Sequence, residues 1–302
     1  SPRKGLPTCG VARPKEFKMI TQTLNRQRGP RAHLLFAVLT VACVIMISPT
    51  VASAKQSNQR ASFNASSGFN PKVDGFAFQN SASVPAQGTG LNLLIQLFGR
   101  KSICVNTNSS DECVPQQLAA QFANNVETQL AAGRCEGLTV LAAKLHADGG
   151  TPASVFSPEE INQKIDFWWA TQMLPKVTAK SQASRALQPS QLIEEIKLGI
   201  VSGATSTLGM YFEGQGHTVL PITIQKKGHQ VHVGVYDSNT PEMTQTLRIN
   251  TKTQVWSYAP IDKDGKLIFS WSHKGSGALD VIPLSLRTPQ QTDYFSRASI
   301  KE

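Results

Sequence analysis

Cys135, His217 and Asp237 are the three side chains of this chain whose types and settings suit covalent chemistry. A thiol attacks well only when ionised, and a helix N-terminus favours the thiolate through its unpaired N–H groups and its dipole. Cys135 follows Gly133-Arg134 and opens an apolar run (Leu138, Leu141, Ala142, Leu145) that predicts a helix from Cys135 to His146. His217 begins a β-rich run after Gly214-Gln215-Gly216, and Asp237 closes the next one before Ser238-Asn239-Thr240-Pro241. The two runs flank Lys226-Lys227-Gly228-His229, a hairpin signature. A symmetric hairpin centred near Lys227 makes residues 217 and 237 cross-strand neighbours, about 5 Å apart at Cβ. An imidazole beside a carboxylate is held in one tautomer and stabilised when protonated. Plainer readings stand beside these: Cys135 as a small buried hydrophobe, Asp237 as a strand-ending turn residue. Asn239 is an alternative orienter, because an amide also serves that role.

The remaining histidines offer less. His229 and His232 are three apart in or beside a strand and project to opposite faces. His146 ends a helix, where capping is the ordinary role. No zinc-type spacing of Cys and His and no phosphate-binding glycine loop occurs, so neither metal nor cofactor is expected.

The charge of +10 is unevenly spread. Residues 1–32 hold eight Lys/Arg against Glu16 alone, residues 33–54 hold no charge, and only +3 remains from Lys55 onward. A nucleic-acid partner inferred from overall charge would rest on the leader, and none is expected. The apolar run from His33 to Ile47, followed by Val51-Ala52-Ser53-Ala54, describes a secretory signal peptide over 1–54, cut before Lys55. Its apolar core is shorter than the roughly 20 residues that cross a bilayer comfortably, so membrane contact is expected only through this segment if uncleaved. Met19 would start a more ordinary leader, which makes 1–18 either a start-site artefact or a dispensable N-terminal extension. The expected location is secreted or cell envelope.

Cleavage would remove Cys9 and Cys43. Cys104 and Cys113 enclose a short polar loop suited to a disulfide, leaving Cys135 over; three cysteines leave the other pairings open. Residues 55–70, rich in Ser, Asn, Gln and Ala, read as a flexible linker, and 71–302 as a single domain. Helical patterns dominate its first half: Leu91–Phe98 before Gly99, a helix opening at Pro115, the Cys135 helix, one capped at Ser157-Pro158-Glu159-Glu160, and one opening at Pro189. After the hairpin, strands are expected at 246–250, 255–258 and 267–271. Helices followed by an antiparallel sheet give an α+β fold.

The ordered motifs resemble papain-like cysteine peptidases, and more narrowly a group of exported bacterial proteins with a papain-like core. The residues that carry the resemblance are Gly75-Phe76-Ala77-Phe78-Gln79-Asn80, Gly133-Arg134-Cys135-Glu136-Gly137, Gly216-His217-Thr218-Val219 and Tyr236-Asp237-Ser238-Asn239-Thr240-Pro241. The resemblance implies a helical half carrying the nucleophile helix, packed on a C-terminal antiparallel sheet. It also implies an oxyanion donor beside the Cys135 N–H, for which Asn80, or failing that Gln79, is the candidate. Arg134 departs from the His or Asn often found before the nucleophile; a cation there favours the thiolate and crowds the entrance.

Three functions are expected in order. The first is thiol-dependent hydrolysis of a peptide or amide bond in a peptide, a protein or a cell-envelope polymer, by a Cys135–His217–Asp237 triad. The second is transglutaminase-like acyl transfer on the same triad, with an amine in place of water. The third is a non-catalytic envelope module that binds peptide or polymer, with Trp168, Trp169, Trp256 and Trp271 available to a groove and core packing expected for at least two of them.

Overall fold

The computed structural model describes residues 62–289 except 82–84, 107, 109 and 110. The expected signal peptide, the 1–18 extension, Cys9 and Cys43 lie outside the described residues. Among the described residues, β1 (Phe63–Ser66) leads into eight α-helices: α1 (Pro71–Asp74), α2 (Thr89–Phe98), α3 (Arg100–Ile103), α4 (Gln117–Ala132), α5 (Cys135–Ala147), α6 (Pro158–Ala170), α7 (Pro175–Arg185) and α8 (Ile193–Val201). β2 (Ser206–Phe212), β3 (Gln215–Lys227), β4 (Gln230–Tyr236), β5 (Thr244–Asn250), β6 (Val255–Tyr258), β7 (Trp271–Lys274) and β8 (Leu279–Pro283) follow. The fold is α+β, with helices packed on a curled antiparallel sheet that forms a half-barrel.

The local signals act as their chemistry requires. Ser157 and Glu160 form a capping box on α6, with the Ser157 N–H donating to Glu160 at 2.8 Å. Gly99 ends α2 at φ 82°, where a side chain would strain the backbone. Other boundaries move for tertiary reasons. Helix α4 begins at Gln117 because Pro115 pairs with Cys104 beside the Cys104–Cys113 disulfide, whose Cα atoms are 5.4 Å apart. Pro189–Gln191 is a separate 3₁₀ turn ahead of α8. Leu267 bridges Ile261, so β7 starts at Trp271, where residues 267–271 are the expected strand. Residues 63–66, within the expected linker, form β1 and pair with β3 from Phe63↔Lys226 to Ser66↔Thr223.

The seven-strand path runs β7-β6-β5-β4-β3-β2-β8, and β1 lies outside it against β3. Alternation along β5 buries Gln245, Leu247 and Ile249 and turns Thr244 and Arg248 outward, the pattern of a sheet with one covered face. Ile193, Ile196 and Ile200 of α8, spaced three and four apart on one helix face, pack toward β2, β3 and β8 in a core that continues through the buried side chains of β4, β5 and β6. Each fully buried large aliphatic side chain contributes about 1.5–3 kcal/mol. A second core joins α2, α4 and α6 around Leu94, Phe98, Leu130 and Trp169. A third joins Leu138 and Leu141 of α5 and Ile161 and Ile165 of α6 to Leu220, Ile222 and Tyr236. This last core fixes the head of α5 against β3.

The hairpin register differs from the symmetric expectation. Lys227 pairs with Gln230, which places the turn at Gly228-His229, and a bulge between Pro221 and Thr223 shifts the ladder by one residue. The ladder ends at Leu220↔Tyr236. Asp237 therefore lies diagonal to His217, two residues away from the directly opposed position, and still within same-face reach.

Candidate active site

The ladder's end leaves the β3 edge at Thr218 without a β4 partner, and the first turn of α5 takes that place. The Thr218 N–H donates to Cys135 Sγ at 3.2 Å, and the Thr139 hydroxyl donates to the Thr218 carbonyl at 3.2 Å. Residues 135 and 139 are one turn apart on a single helix face, so one stripe satisfies both backbone groups of the strand. Cys135 is the first residue of α5, where helix dipole and strand N–H both favour negative charge on sulfur. Both glycines flanking Cys135, Gly133 and Gly137, have a steric reason. Gly133 sits at φ 150°, and a Cβ on Gly137 would lie 2.1 Å from the Ile165 carbonyl oxygen of α6.

His217 and Asp237 meet as the sequence suggests. Nε2 of His217 lies 2.9 Å from Asp237 Oδ1, both side chains buried. The carboxylate also accepts from the Asn239 N–H at 2.8 Å and the Tyr258 hydroxyl at 2.5 Å. Burial pushes the Asp237 carboxyl up, but the nearby His217 and the hydrogen bonds from His217, Tyr258 and Asn239 outweigh it. Its pKa therefore falls below the ordinary carboxylate value. An ionised Asp237 is acceptor only, so Nε2 carries a proton, and in the neutral imidazole the lone pair is then on Nδ1. Phe269 and Trp271 stand edge-on to the imidazole at 6.1 and 6.5 Å between centroids, an apolar wall that strengthens charge interactions behind it.

Asn80 braces two motifs. Its N–H donates to the Ser238 carbonyl at 2.8 Å, its Nδ2 to Asn239 Oδ1 at 3.0 Å, and its Oδ1 accepts from the Arg134 N–H at 2.9 Å. Gln79 Nε2 donates to the Asn239 carbonyl at 2.8 Å. Both oxyanion candidates thus border the turn that follows Asp237, and Asn80 also reaches the residue before Cys135. The side chain of Asn239, the alternative orienter, faces Asn80, and its backbone serves Asp237.

Two charged neighbours of Cys135 point in opposite directions. Glu136 is buried, accepts from the Thr218 hydroxyl, and pairs with Arg287. Arg287, 1 % exposed, also donates to Thr171 at 3.2 Å and Thr207 at 2.9 Å. Arg134, itself buried, lines a cleft of about 540 Å³ between α2 and α6. The sequence alone does not single out Glu136, Tyr258 or Arg287. Tyr258 carries a usable signal, since a tyrosine at an inward strand position needs a partner for its hydroxyl. Trp169 and Trp256 are fully buried core residues.

Cys135 is fully buried and, in the full-length chain, disulfide-bonded; the left-over thiol is expected of the chain after cleavage. Its sulfur stands in for the thiolate in the contacts above. Comparison with known proteins finds no matching family model, no matching curated protein and no matching solved structure.

Proposed function

We propose that this chain is an exported thiol-dependent hydrolase of peptide or amide bonds, with a papain-like arrangement of Cys135, His217 and Asp237. One observation carries the reading: the Cys135 sulfur, at a helix head, contacts the residue next to an imidazole that an ionised carboxylate fixes through Nε2. Export with cleavage before Lys55 would remove Cys9 and Cys43, and with Cys104 paired to Cys113 this leaves Cys135 as the thiol that reacts. Nδ1 of His217 takes the thiol proton, and the thiolate forms a C–S bond to the substrate carbonyl carbon. Collapse of the tetrahedral oxyanion breaks the C–N bond, and the imidazolium protonates the leaving amine. Water, deprotonated by His217, then attacks the thioester, releasing a carboxylic acid product and restoring the thiol. An amine in place of water would give the transglutaminase-like outcome.

The burial and disulfide of Cys135 favour a second reading, a non-catalytic envelope module that binds peptide or polymer. Iodoacetamide labelling of the full-length chain in mild reductant separates the two. The hydrolase reading expects Cys135 to label fast and His217→Ala to slow it at least tenfold. Equal rates in both proteins, with both folded, would sink it.

A further inference from the structure

We propose that the cleft between α2 and α6 is a carboxylate-binding subsite, and that Arg134 selects an acidic substrate for the thiol next to it. This rests on the hydrolase reading for its purpose, but not for its existence. Arg134 is 8 % exposed and immediately precedes Cys135, so the two Cα atoms are about 3.8 Å apart across one peptide. The cleft, about 540 Å³, has room for a short peptide segment. Among the described residues that line it, Arg134 is the one cation and Asp166 the one acid.

The guanidinium is under-used where it stands. Among the described residues, Nη1 alone carries its side-chain hydrogen bonds, to Asn162 Oδ1 at 2.9 Å and Asp166 Oδ1 at 3.3 Å. Nε is buried with no hydrogen-bond partner among the described residues. A tight charged pair closes to about 2.7–2.9 Å, so the Asp166 contact is a loose one. Burial raises the Asp166 carboxyl, with Arg134 opposing that rise, so this acid yields its charge more readily than an exposed one. A buried donor left unpaired costs free energy that a ligand recovers by supplying an acceptor. The planar Nε–Nη2 edge of an arginine donates two parallel bonds to a carboxylate, which a neutral amide does not match. The carboxamides of Asn92, Gln96 and Gln163 complete the lining with groups that can both donate to and accept from a peptide backbone. The ligand class is therefore a peptide or envelope-polymer segment that carries a carboxylate beside the bond presented to Cys135.

The test uses two capped tripeptides, identical except for a central glutamate or glutamine. Calorimetry measures their binding to the full-length chain carrying Cys135→Ser, which needs no catalysis. The glutamate probe should bind about tenfold tighter, the order expected of one charge-assisted pair. Arg134→Gln should erase that preference, and Arg134→Lys should keep only part of it, since a point charge lacks the fork. If Arg134→Gln fails to fold, Arg134→Gln with Asp166→Asn replaces the ion pair by a neutral one and serves instead. Equal affinity for both probes, a glutamate preference that survives loss of Arg134, or no binding of either probe would overturn the proposal. Unchanged iodoacetamide labelling in His217→Ala would remove the hydrolase reading and leave the binding result standing.

Discussion

Asp237→Asn removes one negative charge and almost nothing else. An asparagine with its oxygen toward His217 Nε2 and the Asn239 N–H keeps both bonds, 2.9 and 2.8 Å in the parent. Its amide nitrogen then faces the Tyr258 oxygen, 2.5 Å away in the parent, and a hydroxyl can accept. Three charge-assisted bonds become neutral, each about 1 kcal/mol weaker, while the cost of burying a carboxylate disappears; net stability should change by less than about 2 kcal/mol. The chemistry should change far more. A charge pair about 4 Å apart at an effective dielectric of about 20 is worth about 4 kcal/mol, which is about a thousandfold in rate. Acyl transfer should lose that full factor, because the imidazolium must also survive to protonate the leaving amine. Alkylation has a floor: an ordinary cysteine is about 3 % thiolate at pH 7, so Cys135 labelling should fall by no more than about thirtyfold. Iodoacetamide labelling followed by mass spectrometry under mild reductant, with thermal unfolding in parallel, reads both quantities. Labelling that is unchanged in a variant of parental stability would show that Asp237 does not support charge separation at Cys135.

Three further outcomes follow from the same structure. Asp280 accepts from Ser181, from Tyr211 at 2.8 Å and from the Gly209 N–H at 3.1 Å, and burial raises its carboxyl despite the hydroxyl donors. A raised acid favours folding when protonated and costs stability as pH rises from about 4 through its folded value. Asp280→Asn should therefore stabilise by about 1–2 kcal/mol at about pH 8, and that gain should vanish near pH 4 in thermal melts; a gain equal at both would refute the assignment. Arg287→Met strands Glu136 in the interior and should cost about 3–5 kcal/mol, whereas adding Glu136→Gln should recover much of it by urea titration. Gly137→Ala drives a methyl to 2.1 Å from the Ile165 carbonyl oxygen, so α5 and α6 must part, at a cost of about 1–3 kcal/mol and with slower Cys135 labelling. A melt indistinguishable from the parent would mean that the helices separate freely.

The residues that could do chemistry are legible in the amino-acid sequence, and so is much of the frame. Cys135 heads a helix because apolar residues recur at helical spacing after it, and the Ser157 capping box and the β6 boundaries follow from equally local rules. Alternation in β4 and β5 announces a sheet covered on one face. What depends on distant partners is not legible. α7 buries only Val177 and Ser184 along its length, too little pattern to announce a helix. β1 looks like linker until β3 supplies its hydrogen bonds.

The deciding geometry belongs to the tertiary structure alone. A single bulge in β3 sets Asp237 diagonal to His217, and the ladder's early end opens the edge that Cys135 and Thr139 fill. Tyr258, Arg287 and Asp166 reach the site from 21, 151 and 32 residues away from Asp237, Glu136 and Arg134. Residue types and their periods are written locally and fix which elements form and which faces are apolar. Which buried charge meets which donor is settled only when those faces close on each other, because desolvation makes each unpaired group costly and leaves few arrangements that satisfy them all.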